Sequence, residues 1–443
     1  MTDYLEVLDS TPDEEKLKLV RAWMESSPLD FFSQLRARRP ILVLSECTLV
    51  SRFVDISDAL SMPNIFSARL YKPKMEVTDT NVGYLMAHDD NSLHFREKSL
   101  MQGFLNRDDL PRIRKIVKEA ALEILHDNRF EIEIVNNYCR VVPAIMVQKY
   151  MGLDRINIRK LLNWSYWAQY NTFHNQPFDL NSDEDFYRID GEHKKCFREL
   201  TAYIKKLLLI KLIKVKVADR ALFPFYFISN LIKGALGKEI RRFDDDIVSR
   251  MLRSKFSKSV DFPLERIGAN AAGLLIGSVE TTSQAVAQIL EFLVNKPDLL
   301  AKAKISAQAE NPSEIDNIVW EALRFVPISP YLFRQTSENV VIAKGTDWET
   351  EIRAGTNVLL LTQSAMFDDY AYSNADIFSP ERSWYHHFNY GFGIHDCLGK
   401  YIGMVMIPEM VRQVLLLNNL SELYPLDRKG TPFPEQYVLK WSN

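Results

Sequence analysis

The stretch Tyr390-Gly391-Phe392-Gly393-Ile394-His395-Asp396-Cys397-Leu398-Gly399 places one cysteine at the end of a glycine-rich loop, directly ahead of a long apolar run. Its glycines let backbone come close to something large and reach conformations closed to other residues. The apolar run predicts a helix starting near Leu398, which puts Cys397 near a helix N-terminus. Dipole and free N–H groups there favour a thiolate over a thiol. His395, two residues before the cysteine, offers a ring donor to an anionic group. Such a loop suits a thiolate held against a flat, bulky cofactor. The blander alternative is a glycine-rich turn leading a buried structural cysteine into a helix.

The rest of the chain narrows the setting. It has 443 residues and a net charge of −3, so there is no general case for nucleic-acid binding. Cys47, Cys139, Cys196 and Cys397 are scattered, with no CxxC pair and no zinc spacing. That argues for a reducing compartment with one special thiol. The acidic, polar start from Met1 to Glu15 contains no signal peptide or membrane-length apolar run, so no integral membrane segment is expected.

No repeat or linker interrupts the sequence, and one domain over 1–443 is expected. Helical spacing dominates. Helices are expected at 28–38, 54–60, 94–105, 112–126, 138–150, 156–170, 186–212, 244–252, 262–294, 297–309 and 313–325. Short strands are expected at 41–44, 47–53, 331–335, 340–343 and 357–361. This pattern suits a mainly α (α+β) fold, a helical body with a small β-rich region.

Three further patterns carry chemistry. Glu321-Ala322-Leu323-Arg324 sets opposite charges at i and i+3 on one helix face; alone it reads as a solvated surface pair. Gly277-Ser278-Val279-Glu280-Thr281-Thr282 puts an acid beside a threonine within the most apolar helical stretch, where an unpaired carboxylate is costly. The alternative there is a capping signal at a helix break. His94 and Lys98 fall four residues apart on one basic helical face.

The full spacing around Cys397 resembles the haem-ligand signature of cytochrome P450, Phe-Gly-x-Gly-x-His/Arg-x-Cys-x-Gly, with Tyr390 in place of the phenylalanine. The other patterns follow in the family's order. The resemblance implies haem b (iron protoporphyrin IX) with Cys397 as axial ligand, and Tyr390, Gly391 and Gly399 around it. It implies a structural network of Glu321, Arg324 and Arg382, the last from Phe378-Ser379-Pro380-Glu381-Arg382. Thr281 would donate to dioxygen, Glu280 would relay protons, and Gly277 would leave room over the haem. His94, Lys98, Arg334 and His395 would bind the propionates, with Arg96 as a possible substitute for Lys98, which replaces the family's arginine.

Monooxygenation of a hydrophobic or aromatic small molecule is implied, with O2 and with electrons from a ferredoxin and ferredoxin reductase, in the cytoplasm. Peroxide-driven oxygenation, oxidative coupling and haem binding without turnover are the alternatives. Pocket walls are expected from Tyr71 to Met86, Ile276 and the Pro330 to Phe333 turn. Leu207 to Leu236 reads as a basic amphipathic membrane contact or, preferably, as a lid over the substrate channel. Pro408, and the absence of the family's Ala-Arg-x-Glu pattern at Gly403 to Met406, depart from the resemblance.

Overall fold

A computed structural model describes residues 2–75, 83–128, 130–218, 221, 228–229, 231–232, 245–254, 260, 262–383 and 387–442. The chain opens with three helices, α1 (Tyr4–Asp9), α2 (Asp13–Ser26) and α3 (Pro28–Arg38). Asp3 caps α1 by accepting from the N–H groups of Leu5 and Glu6. Pro28 starts α3 at the position where a missing N–H costs nothing. Only the third of these helices is expected from sequence. Leu5, Leu8, Val20 and Phe31 bury the first two against a second core beneath the sheet.

Strands β1 (Ile41–Val43) and β2 (Thr48–Val50), both expected, pair as an antiparallel hairpin, followed by α4 (Phe53–Leu60) and β3 (Phe66–Ser67). After the single turn α5 (Lys72–Met75) come α6 (Ser92–Phe104) and α7 (Leu110–Asp127). Strand β4 (Glu131–Glu133) leads into a helical stretch in which α8 (Val141–Met146) lies between two π-type turns, Val135–Cys139 and Val147–Met151. Helices α9 (Ile158–Phe173) and α10 (Asp183–Ile213) pack on each other, and α11 (Ile247–Arg253) follows.

The expected single helix over 262–294 is two: α12 (Leu264–Ser278) and α13 (Glu280–Val294), separated at Val279. The Ser278 hydroxyl donates to Leu274 O and the Thr281 hydroxyl to Gly277 O, which competes with the backbone ladder and bends a helix. Helices α14 (Pro297–Gln308) and α15 (Ser313–Phe325) precede β5 (Leu332–Thr336), β6 (Val340–Ile342), β7 (Thr350–Ile352) and β8 (Asn357–Leu360). The chain then forms α16 (Thr362–Ala365), α17 (Lys400–Leu415), β9 (Asn418–Asp427) and β10 (Gln436–Ser442).

One sheet has the order β1-β2-β8-β5-β3, a second β4-β10-β9, and β6 pairs with β7. The strands β9 and β10 go beyond what the sequence predicts. Main-chain pairing holds them, with β10 between β4 and β9, and the register shifts repeatedly along β9, so no clean alternation marks them in sequence. Pro408 lies inside α17 and is buried. Much of 207–236 lies outside the described residues, as do 76–82 and Asp244.

Candidate functional site

The cysteine loop is built by its glycines. Gly391 and Gly393 have φ of 71° and 67°. An added Cβ would meet His395 O and Leu60 O, respectively, at 3.1 Å. Only glycine takes this path without strain. The loop then closes on itself: Gly391 N donates to Phe388 O at 2.8 Å, Asp396 N to Gly393 O at 3.1 Å and Cys397 N to Tyr390 O at 2.6 Å.

Helix α17 begins at Lys400, later than expected, so Cys397 precedes it by three residues. Cys47, Cys139 and Cys196 are buried, whereas Cys397 is exposed. Protein nevertheless surrounds that thiol. Burial pushes its pKa up; the Gly399 N–H, Lys98 and Lys400 pull the other way, and Asp396 adds to the rise. Burial thus works against the expected thiolate. Ligation by a metal ion would impose it.

The break between α12 and α13 carries the acid and threonine. Gly277 has nothing within 4 Å of where a Cβ would stand, so that face of the helix is open. Thr281 closes the break with a 2.7 Å bond from its hydroxyl to Gly277 O. Glu280 is fully buried in an ion pair, with Arg140 Nε 3.1 Å from each carboxylate oxygen. Arg140 also donates to Asn136 Oδ1, Glu435 Oε2 and Pro434 O. Burial pushes the Glu280 carboxyl up to about 7, against the pull of Arg140. Sequence reasoning missed Arg140, which stands between the two π-type turns, 140 residues away in sequence.

A second unforeseen pair lies one turn earlier. A Cβ on Gly273 would fall 2.1–2.6 Å from carbons of the Tyr84 ring, so the ring lies against bare backbone of α12. Burial, and then the charges of Cys397 and Glu97, push this phenol's pKa up. Tyr84 thus links the α12 wall to the neighbourhood of the thiol.

His94 reaches Leu85 O through Nδ1 and Ile394 O through Nε2, both at 3.0 Å. Lys98 Nζ contacts Ile394 O and Asp396 O and forms an ion pair with the Asp396 carboxylate. The helix α6 is thereby sewn to the cysteine loop. The His94 and His395 rings meet edge to face at 4.9 Å. Burial, followed by Arg334, His94 and Lys98, depresses the pKa of His395, and its Nε2 is buried without a hydrogen-bond partner. Arg334 donates to Phe333 O, and Arg96 Nε is a further buried donor without a partner. An anion placed beside His395 would satisfy its ring nitrogen and relieve the crowding of positive charge from Arg334 and Lys98. The accessible sulfur, the open face of Gly277 and this donor set fit the haem that the resemblance implies.

The expected structural network comes together. Arg324 grips Glu321 in a fork, Nε to Oε2 at 3.0 Å and Nη2 to Oε1 at 2.7 Å, both side chains buried. Arg382 Nε stands 3.5 Å from Glu321, and its other nitrogens donate to Ser373 O, Asn374 O and Ile377 O. Ser379 N donates to the same carboxylate. One residue before Glu321, the Trp320 ring packs against Tyr390 at 5.7 Å, which couples α15 to the cysteine loop. Two of the expected pocket walls meet: Tyr71 stacks on Phe333 at 4.3 Å, with Phe173 and Phe178 packed beside them, while Ile276 O accepts from Gln169 on α9.

The family model for cytochrome P450 matches residues 45–439. Cytochrome P450 119 of Sulfurisphaera tokodaii is 23% identical over 381 residues, 84% of this chain and 86% of that protein. Nocardicin C N-oxygenase of Nocardia uniformis subsp. tsuyamanensis is 23% identical over 420 residues, 91% of this chain and 90% of that one. The structure of cytochrome P450 CYP109Q5 from Chondromyces apiculatus superposes with a TM-score of 0.73 at 19% identity, covering 95% of this chain and 96% of that chain. With the family model spanning most of the sequence and the P450 fold beneath it, the chain belongs to the cytochrome P450 family, the haem-thiolate monooxygenases.

Proposed function

We propose that Cys397 is the axial ligand of the haem, and that the chain oxygenates a hydrophobic or aromatic small molecule with electrons from a ferredoxin and its reductase. The observation that carries this reading is an accessible thiol on the glycine loop, in a chain whose α12–α13 break leaves the Gly277 face open. Tyr390, Gly391 and Gly399 shape the sulfur side. His395 and Arg334 would hold the propionates, while His94 and Lys98 hold the loop that carries His395. The whole chain, 1–443, works as one domain in the cytoplasm. Among the described residues no helix is long and apolar enough to cross a membrane.

Bound haem supplies the oxidising chemistry, which thiolate ligation directs towards O–O cleavage. The protein supplies protons and a dry pocket. Thr281 presents a hydroxyl at the cleft wall, where it donates to Gly277 O. Glu280 holds an exchangeable proton beside it, its pKa raised by burial to about 7. Arg140 steers that carboxylate as it gains and loses the proton.

The stacked aromatic wall of Tyr71, Phe173 and Phe333 favours an apolar or aromatic substrate. At the start of α17, Arg107 covers the Tyr401 ring next to Lys400, a cationic surface suited to an acidic electron carrier. The test is a Thr281→Ala variant supplied with ferredoxin, reductase and a substrate found by spin-shift titration. Electron consumption is expected to continue while product per electron falls; unchanged coupling would remove Thr281 from its assigned role.

A further inference from the structure

Arg21 on α2 reaches into a secluded polar group. Its Nη1 donates to the Tyr331 hydroxyl, and its Nη2 donates to Asp179 Oδ1 at 3.2 Å. The same Oδ1 accepts from the Tyr331 hydroxyl at 3.4 Å, and the Arg21 guanidinium lies 5.3 Å from the centre of the Tyr331 ring. Asp179 Oδ2 takes the Gln176 N–H at 2.8 Å. Only 3% of the Asp179 side chain and 20% of the Arg21 side chain are exposed. The three residues come from three separate places: α2, the connection between α9 and α10, and the position just before β5. Arg21 precedes the stretch that the family model matches, 45–439, and its two partners lie inside it.

This group stands directly behind the aromatic wall. Tyr331 packs edge-on against Phe178 at 6.4 Å, Phe178 packs against Phe333 at 5.3 Å, and Phe333 stacks on Tyr71. An ion pair this secluded yields little net stability, because desolvation offsets the attraction. Burial indeed pushes the Asp179 carboxyl up, against the pull of Arg21. What the pair supplies is direction, since a planar guanidinium donating from two nitrogens fixes both partners at set angles. We propose that Arg21 is a positioning residue for substrate: by tying Asp179 and Tyr331 to α2 it holds Phe178 and Phe333 in place, and so sets how tightly the pocket closes on a flat aromatic ring. The proposal rests on the reading that Tyr71, Phe173 and Phe333 line the substrate pocket. Arg21 itself touches no substrate. Without it the α9–α10 connection keeps its internal bonds, Asn181 Nδ2 to His174 O and Gln176 Nε2 to Thr172 O, and loses only its tie to α2. The wall would then shift rather than unfold.

The test uses the full-length holoprotein and two iron-ligating probes, imidazole and 4-phenylimidazole, which differ by one phenyl ring. Their affinities are read from the shift of the Soret band. The parent should prefer the phenyl compound. Arg21→Met with Asp179→Asn removes both charges at nearly constant volume, so folding should survive. Imidazole affinity and the reduced-CO spectrum should stay as in the parent, while 4-phenylimidazole affinity falls by roughly tenfold. Tyr331→Phe deletes a single hydroxyl and should lower that affinity severalfold; it decides the matter alone if the double variant fails to hold haem. Arg21→Lys should fall between the parent and the double variant, because an ammonium keeps the charge without the fork. An unchanged preference in the double variant or in Tyr331→Phe, an equal loss for both probes, or a parent without preference would overturn the proposal. A parent whose Soret band answers neither probe would instead refute the haem reading beneath it.

Discussion

Replacing Gly403 by alanine would put a methyl carbon 2.6 Å from the Tyr390 hydroxyl oxygen and 3.1 and 3.2 Å from two carbons of its ring. Contacts between such atoms normally settle near 3.5 Å or beyond. The ring cannot retreat cheaply. Trp320 packs on it at 5.7 Å, and its own carbonyl accepts the Cys397 N–H at 2.6 Å, so moving Tyr390 moves the cysteine loop. Overpacking of this kind costs about 1–3 kcal/mol. Tyr390→Phe removes the worst of the three contacts and should restore roughly 1 kcal/mol or more of the loss. Alone, it should be neutral or slightly stabilising, because the Tyr390 hydroxyl is buried without a partner and such a group costs about 1–3 kcal/mol. Urea unfolding of the parent, both single variants and the double variant measures the coupling. The fraction of protein with a normal reduced-CO spectrum reports on the loop. The reasoning fails if Gly403→Ala costs less than ~0.5 kcal/mol, or costs the same in the parent as in the Tyr390→Phe background.

Three further outcomes are expected. Glu280 keeps its proton to about pH 7 in the folded chain against an ordinary value of 4.5, so the folded state binds the extra proton between those values. Its contribution is complete below about pH 4.5 and is lost as pH rises towards 7, ~3 kcal/mol in all; Glu280→Gln should lack that decline in urea titrations across this window, and parallel profiles would contradict the assignment. Gly273→Ala should displace the Tyr84 ring, preserving the reduced-CO spectrum while changing substrate spin-shift affinities severalfold; unchanged affinities would take Tyr84 out of the pocket. Glu321→Gln leaves the buried Arg324 guanidinium without its anion and should cost about 3–5 kcal/mol, read as a lower urea midpoint with parallel loss of bound haem.

Two features that look like unrelated departures in the sequence are one feature in the structure. Tyr390 stands where the signature has phenylalanine, and Gly403 stands where a larger residue is usual. The hydroxyl of the first fills the space left by the missing side chain of the second. Nothing in the one-dimensional pattern joins residues 390 and 403, because the loop between them must fold before they meet. The same holds for Arg140 and Glu280, and for Tyr84 and Gly273: each pair is set by tertiary packing between distant elements.

The local signals are legible. Glycines at 391 and 393 announce a left-handed loop, Pro28 and Pro297 mark helix starts, and Glu321 with Arg324 falls on one helical face. The helix break at Val279 is legible only as an alternative, since Ser278 and Thr281 read equally well as interior residues until their hydroxyls bond backwards. The strands β9 and β10 escape because backbone pairing holds them where side-chain alternation is weak. The onset of α17 falls later than the sequence suggests because Leu398 continues the apolar run although its backbone is not yet helical.

The central claim is that the Cys397 sulfur is bonded to haem iron. Its most direct test is the reduced, CO-treated difference spectrum of the purified protein beside that of Cys397→Ser, with haem content measured in both. The account predicts the red-shifted Soret band of thiolate ligation in the parent and its complete loss in the variant. The same band in both proteins, or a parent protein that binds no haem after reconstitution, would contradict it.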